Sequence, residues 1–143
     1  FDPSRPIYTN ARYLPTSKIN NAVIQSALIA DGCIISNATI RRSIVGVRTV
    51  IESGSDIHNC VIMGADYYTE KQVGKDGEIE HTPIKIGSNC MIRKAIIDKN
   101  AIIGNNVVID PGDRIDEDNE WCHIRDGVVV IPKGKVIPDN TIV

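Results

Sequence analysis

The aliphatic residues of this chain recur at a spacing that is neither that of a helix nor that of a simple strand. Leu28, Ile34 and Ile40 fall six residues apart, Ile44 and Val50 follow at the same interval, and Ile57 comes seven later. Small and polar residues fill the gaps, and Ser43-Ile44-Val45-Gly46 is echoed by Cys60-Val61-Ile62-Met63-Gly64. Helices repeat every 3.6 residues and strands every two. A sustained period of six predicts a β-solenoid of hexapeptide repeats, in which each short strand ends in a corner and three strands close a triangular coil. The step from Ile44 to Val61 is seventeen residues, so one corner is shorter than in an eighteen-residue coil. The pattern resumes at Ile86, Ile92, Ile97, Ala101, Ile103 and Val108, and closes with Ile131, Ile137 and Val143. A β-sandwich also has short strands, but it alternates with period two.

The pattern divides the chain. Residues 1–22 hold Pro3, Pro6 and Pro15, a density that forbids a helix and predicts an extended linker. Tyr8 and Tyr13 in that linker are expected to pack along a surface. The solenoid is expected over residues 23–143. Two segments break its period, 65–83 and 110–126, and are read as loop excursions. Long excursions from compact domains usually carry function.

Composition supports a core built almost without aromatics, since the 143 residues include one Phe and one Trp. Stacked Ile and Val can supply such a core at roughly 1.5–3 kcal/mol for each buried side chain. The net charge of −2 argues against a nucleic-acid arm or a polybasic membrane segment. No apolar run reaches the length of a bilayer span. Cys33, Cys60, Cys90 and Cys122 are widely separated, without a C-x-x-C pair, and are expected as free thiols on solenoid walls or in loops, in a reducing compartment. The chain opens Phe-Asp-Pro-Ser-Arg-Pro, which reads as the start of a fragment of a longer protein.

Candidate chemistry is sparse. Hexapeptide solenoids often serve as CoA-dependent acyltransferases that use a His as general base, and this is the alternative function. His58 lies in a repeat, while His81 and His123 lie in the excursions. No closely placed His pair predicts a zinc site. The acidic run Asp110, Asp113, Asp116, Glu117, Asp118 and Glu120 lacks the central Gly and closing Glu of an EF-hand and reads as a solvated loop. No phosphate-binding Gly-rich loop followed by Lys-Ser/Thr is present. Basic residues are more informative. Lys99 and Lys133 each stand two positions after an aliphatic wall residue, Ile97 and Ile131. With Lys135, Lys94, Arg93 and Arg48 they are candidates for an edge that attracts phosphate or carboxylate.

Four stretches resemble one family. Arg5-Pro6-Ile7-Tyr8-Thr9 with Arg12-Tyr13-Leu14-Pro15 resembles the interdomain linker of ADP-glucose pyrophosphorylases (glucose-1-phosphate adenylyltransferases). Ser43-Ile44-Val45-Gly46-Val47-Arg48 resembles their first strong repeat. Met63-Gly64-Ala65-Asp66-Tyr67-Tyr68 and Ile96-Ile97-Asp98-Lys99-Asn100-Ala101 are the more specific matches. The resemblance implies an all-β, left-handed parallel β-helix that follows a nucleotidyltransferase domain. It implies a parent reaction joining ATP and glucose 1-phosphate into ADP-glucose and pyrophosphate, for glycogen or starch synthesis. Catalytic residues and Mg2+ would belong to the N-terminal domain, leaving no catalytic residue, metal or cofactor in this stretch. Homo- or hetero-tetramers, in the cytoplasm or a plastid stroma, are the implied setting. In the cyanobacterial and plant branch two C-terminal lysines bind 3-phosphoglycerate, with phosphate as inhibitor. Lys99 matches the first by motif and Lys133 the second by its distance from the C-terminus. The segment after the Lys99 coil departs from the family's Asn-Lys-Asp-rich run, reading Asp-Pro-Gly-Asp-Arg-Ile-Asp-Glu-Asp, and Pro132 and Pro138 are unusual.

Overall fold

The computed structural model describes residue 2, residues 4–5, 12–73 and 78–143. Every regular element among them is a strand, most of two or three residues. The strands stack in parallel on three faces of a left-handed β-helix. The first face is built from Lys18–Asn20, Ile34–Ser36 and Val50–Ile51, and continues through a bridge at Ile86 to Ile102–Ile103 and Val136–Ile137. The second holds Val23–Gln25, Thr39–Arg41, Asp56–His58, Met91–Arg93 and Val108–Ile109. The third holds Leu28–Ile29, Ile44–Val45, Val61–Ile62, Ala95–Ile97 and Val128–Ile131. Ile35 pairs with Ile51 and Ile40 with Ile57, so a coil takes sixteen or seventeen residues.

The inward ladder differs in phase from the one read off the spacing. Buried positions are Ile35, Ile40, Val45, Ile51, Ile57 and Ile62, whereas Leu28, Ile34 and Ile44 point outward. The cause is that most strands carry two adjacent aliphatics, Ile34-Ile35, Ile44-Val45, Val50-Ile51 and Val61-Ile62. A slip of one residue exchanges the two faces of a strand, and the outer member of each pair mimics the inner one. Downstream the same offset puts Ile109, not Val108, in the core, while Ile86, Ile92, Ile97, Ile131 and Ile137 are buried as expected.

Corners set the spacing. One residue at many of them adopts the left-handed backbone conformation, and Asn21, Asn37, Asn59, Asn89, Asn100, Asn106 and Asn140 take this place. Asn tolerates that conformation better than other residues with a Cβ. Some of these amides also stack, Asn89 donating to Asn106 at 3.4 Å and Asn106 to Asn140 at 3.0 Å. Small residues fill the interior of the corners. The four cysteines are free and lie between strands, as expected, and all are buried. Cys60 stands in the column of Ser43 and Cys90 in that of Ser55, and the serine hydroxyls accept hydrogen bonds from the Cys60 and Cys90 amides at 3.1 Å. Burial raises the pKa of each thiol.

The first strand, Lys18–Asn20, already pairs with Ile34–Ser36, so the coil starts ahead of residue 23. Tyr13 packs against nothing within the described residues, being 96% exposed; Tyr8 lies outside them. The first excursion forms an antiparallel hairpin, Thr69–Val73 with Ile79–Pro83. It is tied to the first coil by Tyr68, whose hydroxyl donates to the Gly32 carbonyl at 2.7 Å. The second excursion lays Glu117–Asp118 and His123–Arg125 antiparallel beside Val128–Ile131 and so extends the third face. Its acidic run is not wholly a free loop, because Asp118 binds Arg125 at 2.8 Å and His123 at 2.7 Å.

Candidate functional site

The residues with the most to offer chemically gather at the edge between the third and first faces. Strand Ala95–Ile97 ends there with Ile97 turned inward, and Asp98-Lys99-Asn100 makes the corner, Asn100 at φ 61°. One coil on, Val128–Ile131 ends with Ile131 inward, and Pro132-Lys133-Gly134 makes the matching corner. Ile97 and Ile131 are register partners, and the Gly134 amide donates to the Lys99 carbonyl at 2.9 Å. Lys99 and Lys133 are therefore stacked one strand spacing apart, about 4.8 Å along the solenoid. The chain between them spends itself on the other two faces and on the second excursion, which leaves the coil and returns.

Lys99 is not a free cation. Its Nζ lies 2.8 Å from Asp66 Oδ1, and both side chains are about one-third exposed, 29% and 32%. Asn100 completes the cluster by donating to Asp66 Oδ2 at 3.2 Å while its own Oδ1 accepts from the Asp66 amide at 2.8 Å. The bond from Lys99, then that from Asn100, lowers the Asp66 pKa below the usual carboxylate value, and the charge of Lys133 adds to the effect. Lys133 itself is exposed and forms no ion pair among the described residues. Gly64 sits in the coil beneath Lys99, where a Cβ would collide with the Val47 carbonyl oxygen. Its φ of 87° independently requires glycine. The bare Gly64 corner turns the chain so that Asp66 comes up beside Lys99.

A hollow of about 540 Å3 opens next to this cluster between the first hairpin and the coil, lined by Tyr67, Thr69, Glu70, Lys71, Ile84 and Asn100. Arg48 stands on the same edge, its guanidinium donating to the Ala65 carbonyl at 3.3 Å. The other basic candidates are elsewhere. Arg93 binds Asp56 at 2.9 Å on the second face, Lys94 lies at the edge between the second and third faces, and the Lys135 ammonium is 5.7 Å from the Trp121 ring centre.

The three histidines are not brought together. His58 is in register with Arg41 and Arg93. His81 lies opposite Lys71 in the hairpin, and His123 is on the second excursion. The sequence singles out Lys99 and Lys133 but not Asp66 and Asn100 as their partners. Both lie inside the two most distinctive motifs, and nothing local indicates that an aspartate 33 residues upstream of a lysine should reach it across an inserted hairpin.

An edge of two stacked lysines on a left-handed coil, with a carboxylate from the start of an inserted hairpin, can hold a small anion by displacing that carboxylate. The model of the GLGC left-handed parallel beta-helix domain matches residues 12–142. Both the hairpin and the two lysines lie within the match. The chain belongs to this family, the C-terminal domain of ADP-glucose pyrophosphorylase, a nucleotidyltransferase.

Proposed function

We propose that this domain regulates and assembles a glucose-1-phosphate adenylyltransferase that makes ADP-glucose and pyrophosphate from ATP and glucose 1-phosphate, for glycogen or starch synthesis. Catalysis, with Mg2+, belongs to a nucleotidyltransferase domain N-terminal to this one. The effector is a small phosphorylated anion held between Lys99 and Lys133. The observation that carries this reading is the direct stacking of the two lysines, with Asp66 as an internal counter-ion for one of them. Two like charges one strand apart repel, so an anion bridging them gains from both. Regulation then follows if the anion binds the active arrangement of domains better than the inactive one.

Assembly has its own support. The first coil leaves its core open: Ile19 is 46% and Ile24 36% exposed although their partners Ile35 and Ile40 are buried. Leu28, on the outside of the same coil, is also exposed. Solenoids need such ends capped, and we assign the cap to the catalytic domain or a neighbouring subunit of a tetramer. Calorimetric titration with 3-phosphoglycerate and with inorganic phosphate tests the anion site. Lys99→Ala and Lys133→Ala should each weaken binding about tenfold, the scale of one charge-assisted hydrogen bond, while Lys18→Ala, in the first coil at the other end of the solenoid, should not. Equal affinities in all variants would refute the assignment.

A further inference from the structure

The edge between the second and third faces carries a second concentration of cations that the regulatory reading leaves unused. Gln25, Arg41, His58 and Arg93 are successive register partners along this edge. The next position round the corner holds Ser26, Arg42, Asn59 and Lys94, joined coil to coil by hydrogen bonds from the Arg42, Asn59 and Lys94 amides. Four cations thus line one edge of a chain whose net charge is −2. Asp56 is the carboxylate set among them. It binds Arg93 at 2.9 Å and stands 3.8 Å from Arg41, beyond hydrogen-bond reach, and its Oδ1 has no hydrogen-bond partner among the described residues. Asp110 follows Arg93 in the next coil, so acid closes the far end of the ladder while the Arg41–Arg42 end stays open. Neither Arg42 nor Lys94 has an ion pair among the described residues.

Two further observations point to a ligand at that open end. Gln25, Ser26, Arg41, Arg42 and His58 enclose a polar hollow of about 250 Å3. Arg42 also holds a left-handed backbone conformation, φ 47°, as does Lys94 two coils further along the edge, φ 45°. The same slot in the coil between them is filled by Asn59, and the neighbouring corner column uses Asn throughout much of its length. Placing long cations in a conformation that Asn or Gly accepts more readily is unfavourable for the fold alone.

We infer that this edge is a second anion site, separate from Lys99 and Lys133, that takes a small ligand bearing adjacent phosphoryl groups. Arg41 and Arg42 offer planar forks suited to bidentate contact with phosphate oxygens. His58, one strand spacing away, offers a ring nitrogen to the neighbouring phosphoryl group. The hollow suits a diphosphate and not a polymer. The two anion edges are divided by the width of the third face, roughly 15 Å for the five residues from Lys94 to Lys99, so one small ligand does not bridge them.

The test uses pyrophosphate and inorganic phosphate as probes, followed by the arginine side-chain and histidine ring signals in NMR. Arg42→Asn is the deciding variant, because it repeats Asn59 at the same slot and so preserves the corner. Pyrophosphate should shift the Arg41, Arg42 and His58 signals and bind more tightly than phosphate. Arg42→Asn should weaken it at least about fivefold with an undiminished melting temperature, and Lys99→Ala with Lys133→Ala should leave these shifts in place. Parent-like affinity in Arg42→Asn, unmoved signals, or loss that follows Lys99 and Lys133 instead would overturn the proposal. Affinity that keeps rising with polyphosphate length would likewise overturn the assignment to a small ligand. Failure of the lysine variants to affect 3-phosphoglycerate would count against the regulatory reading alone.

Discussion

Replacing Asp66 by asparagine should tighten anion binding at the lysine edge. Asp66 holds the Lys99 ammonium at 2.8 Å, and a bridging phosphate must displace it. The amide side chain keeps the shape, and its oxygen can still accept from Asn100, as Asp66 Oδ2 does at 3.2 Å. Only the charge is removed. Partly exposed ion pairs contribute about 0.2–1 kcal/mol, which frees Lys99 by a factor of roughly 1.4–5. Loss of the carboxylate also removes its repulsion of the incoming anion, about 1 kcal/mol at 4 Å in water before salt screening. Together these give about eight- to thirtyfold tighter binding in low salt, shrinking as salt is added. The sign with pH follows from the lowered Asp66 pKa. Asp66 stays ionised above about pH 4, so the gain should persist from about pH 5 to 8 and vanish as pH falls through the lowered value, where the parent carboxylate protonates too. Titration calorimetry with 3-phosphoglycerate at two salt concentrations, repeated across pH, reads all three features. Unchanged or weaker binding in Asp66→Asn would show that Lys99 is structural and that anions do not compete for it.

The phase of the ladder is tested by a pair of variants that the period alone treats alike. Ile57→Ala should destabilise the chain by about 2–5 kcal/mol, since Ile57 is fully buried, while Leu28→Ala, at 69% exposure, should stay within about 0.5 kcal/mol; chemical denaturation compares them. None of the four buried thiols should react with a maleimide reagent under native conditions, and all should react in denaturant, because burial keeps them protonated and covered. The Asp118 pKa is held at about 2, first by Arg125 and then by His123. A folded-state pKa below the unfolded one gives stability that is complete above about pH 4 and is lost as pH falls towards that value, so Asp118→Asn should flatten this part of the acid-unfolding curve, read by circular dichroism.

The fold was legible because a solenoid writes its period directly into the chain. Its phase was not, because Ile34-Ile35 and Val61-Ile62 offer two aliphatics where one is buried, and only pairing across coils selects between them. The stacking of Lys99 on Lys133 was half legible: each follows a wall position, but their separation depends on the second excursion adding antiparallel strands beyond Val128–Ile131 and not a further coil between the lysines. Asp66 was not legible as a partner, since its distance from Lys99 is set by an inserted hairpin and not by the repeat. The burial of the cysteines was not legible for a related reason. Their surroundings resemble loop sequence, yet Cys60 and Cys90 occupy the small-residue slots that Ser43 and Ser55 fill in preceding coils.

Regulation through the lysine edge stands or falls on the activation curve of an adenylyltransferase carrying this domain, with Lys99→Ala and Lys133→Ala compared against the parent. Coupling of about 1–3 kcal/mol between effector and active state corresponds to roughly 5–150-fold activation. Each variant should need a higher concentration of phosphorylated effector while unactivated turnover is nearly unchanged. Activation curves that coincide with the parent's in both variants would contradict an effector site at Lys99 and Lys133.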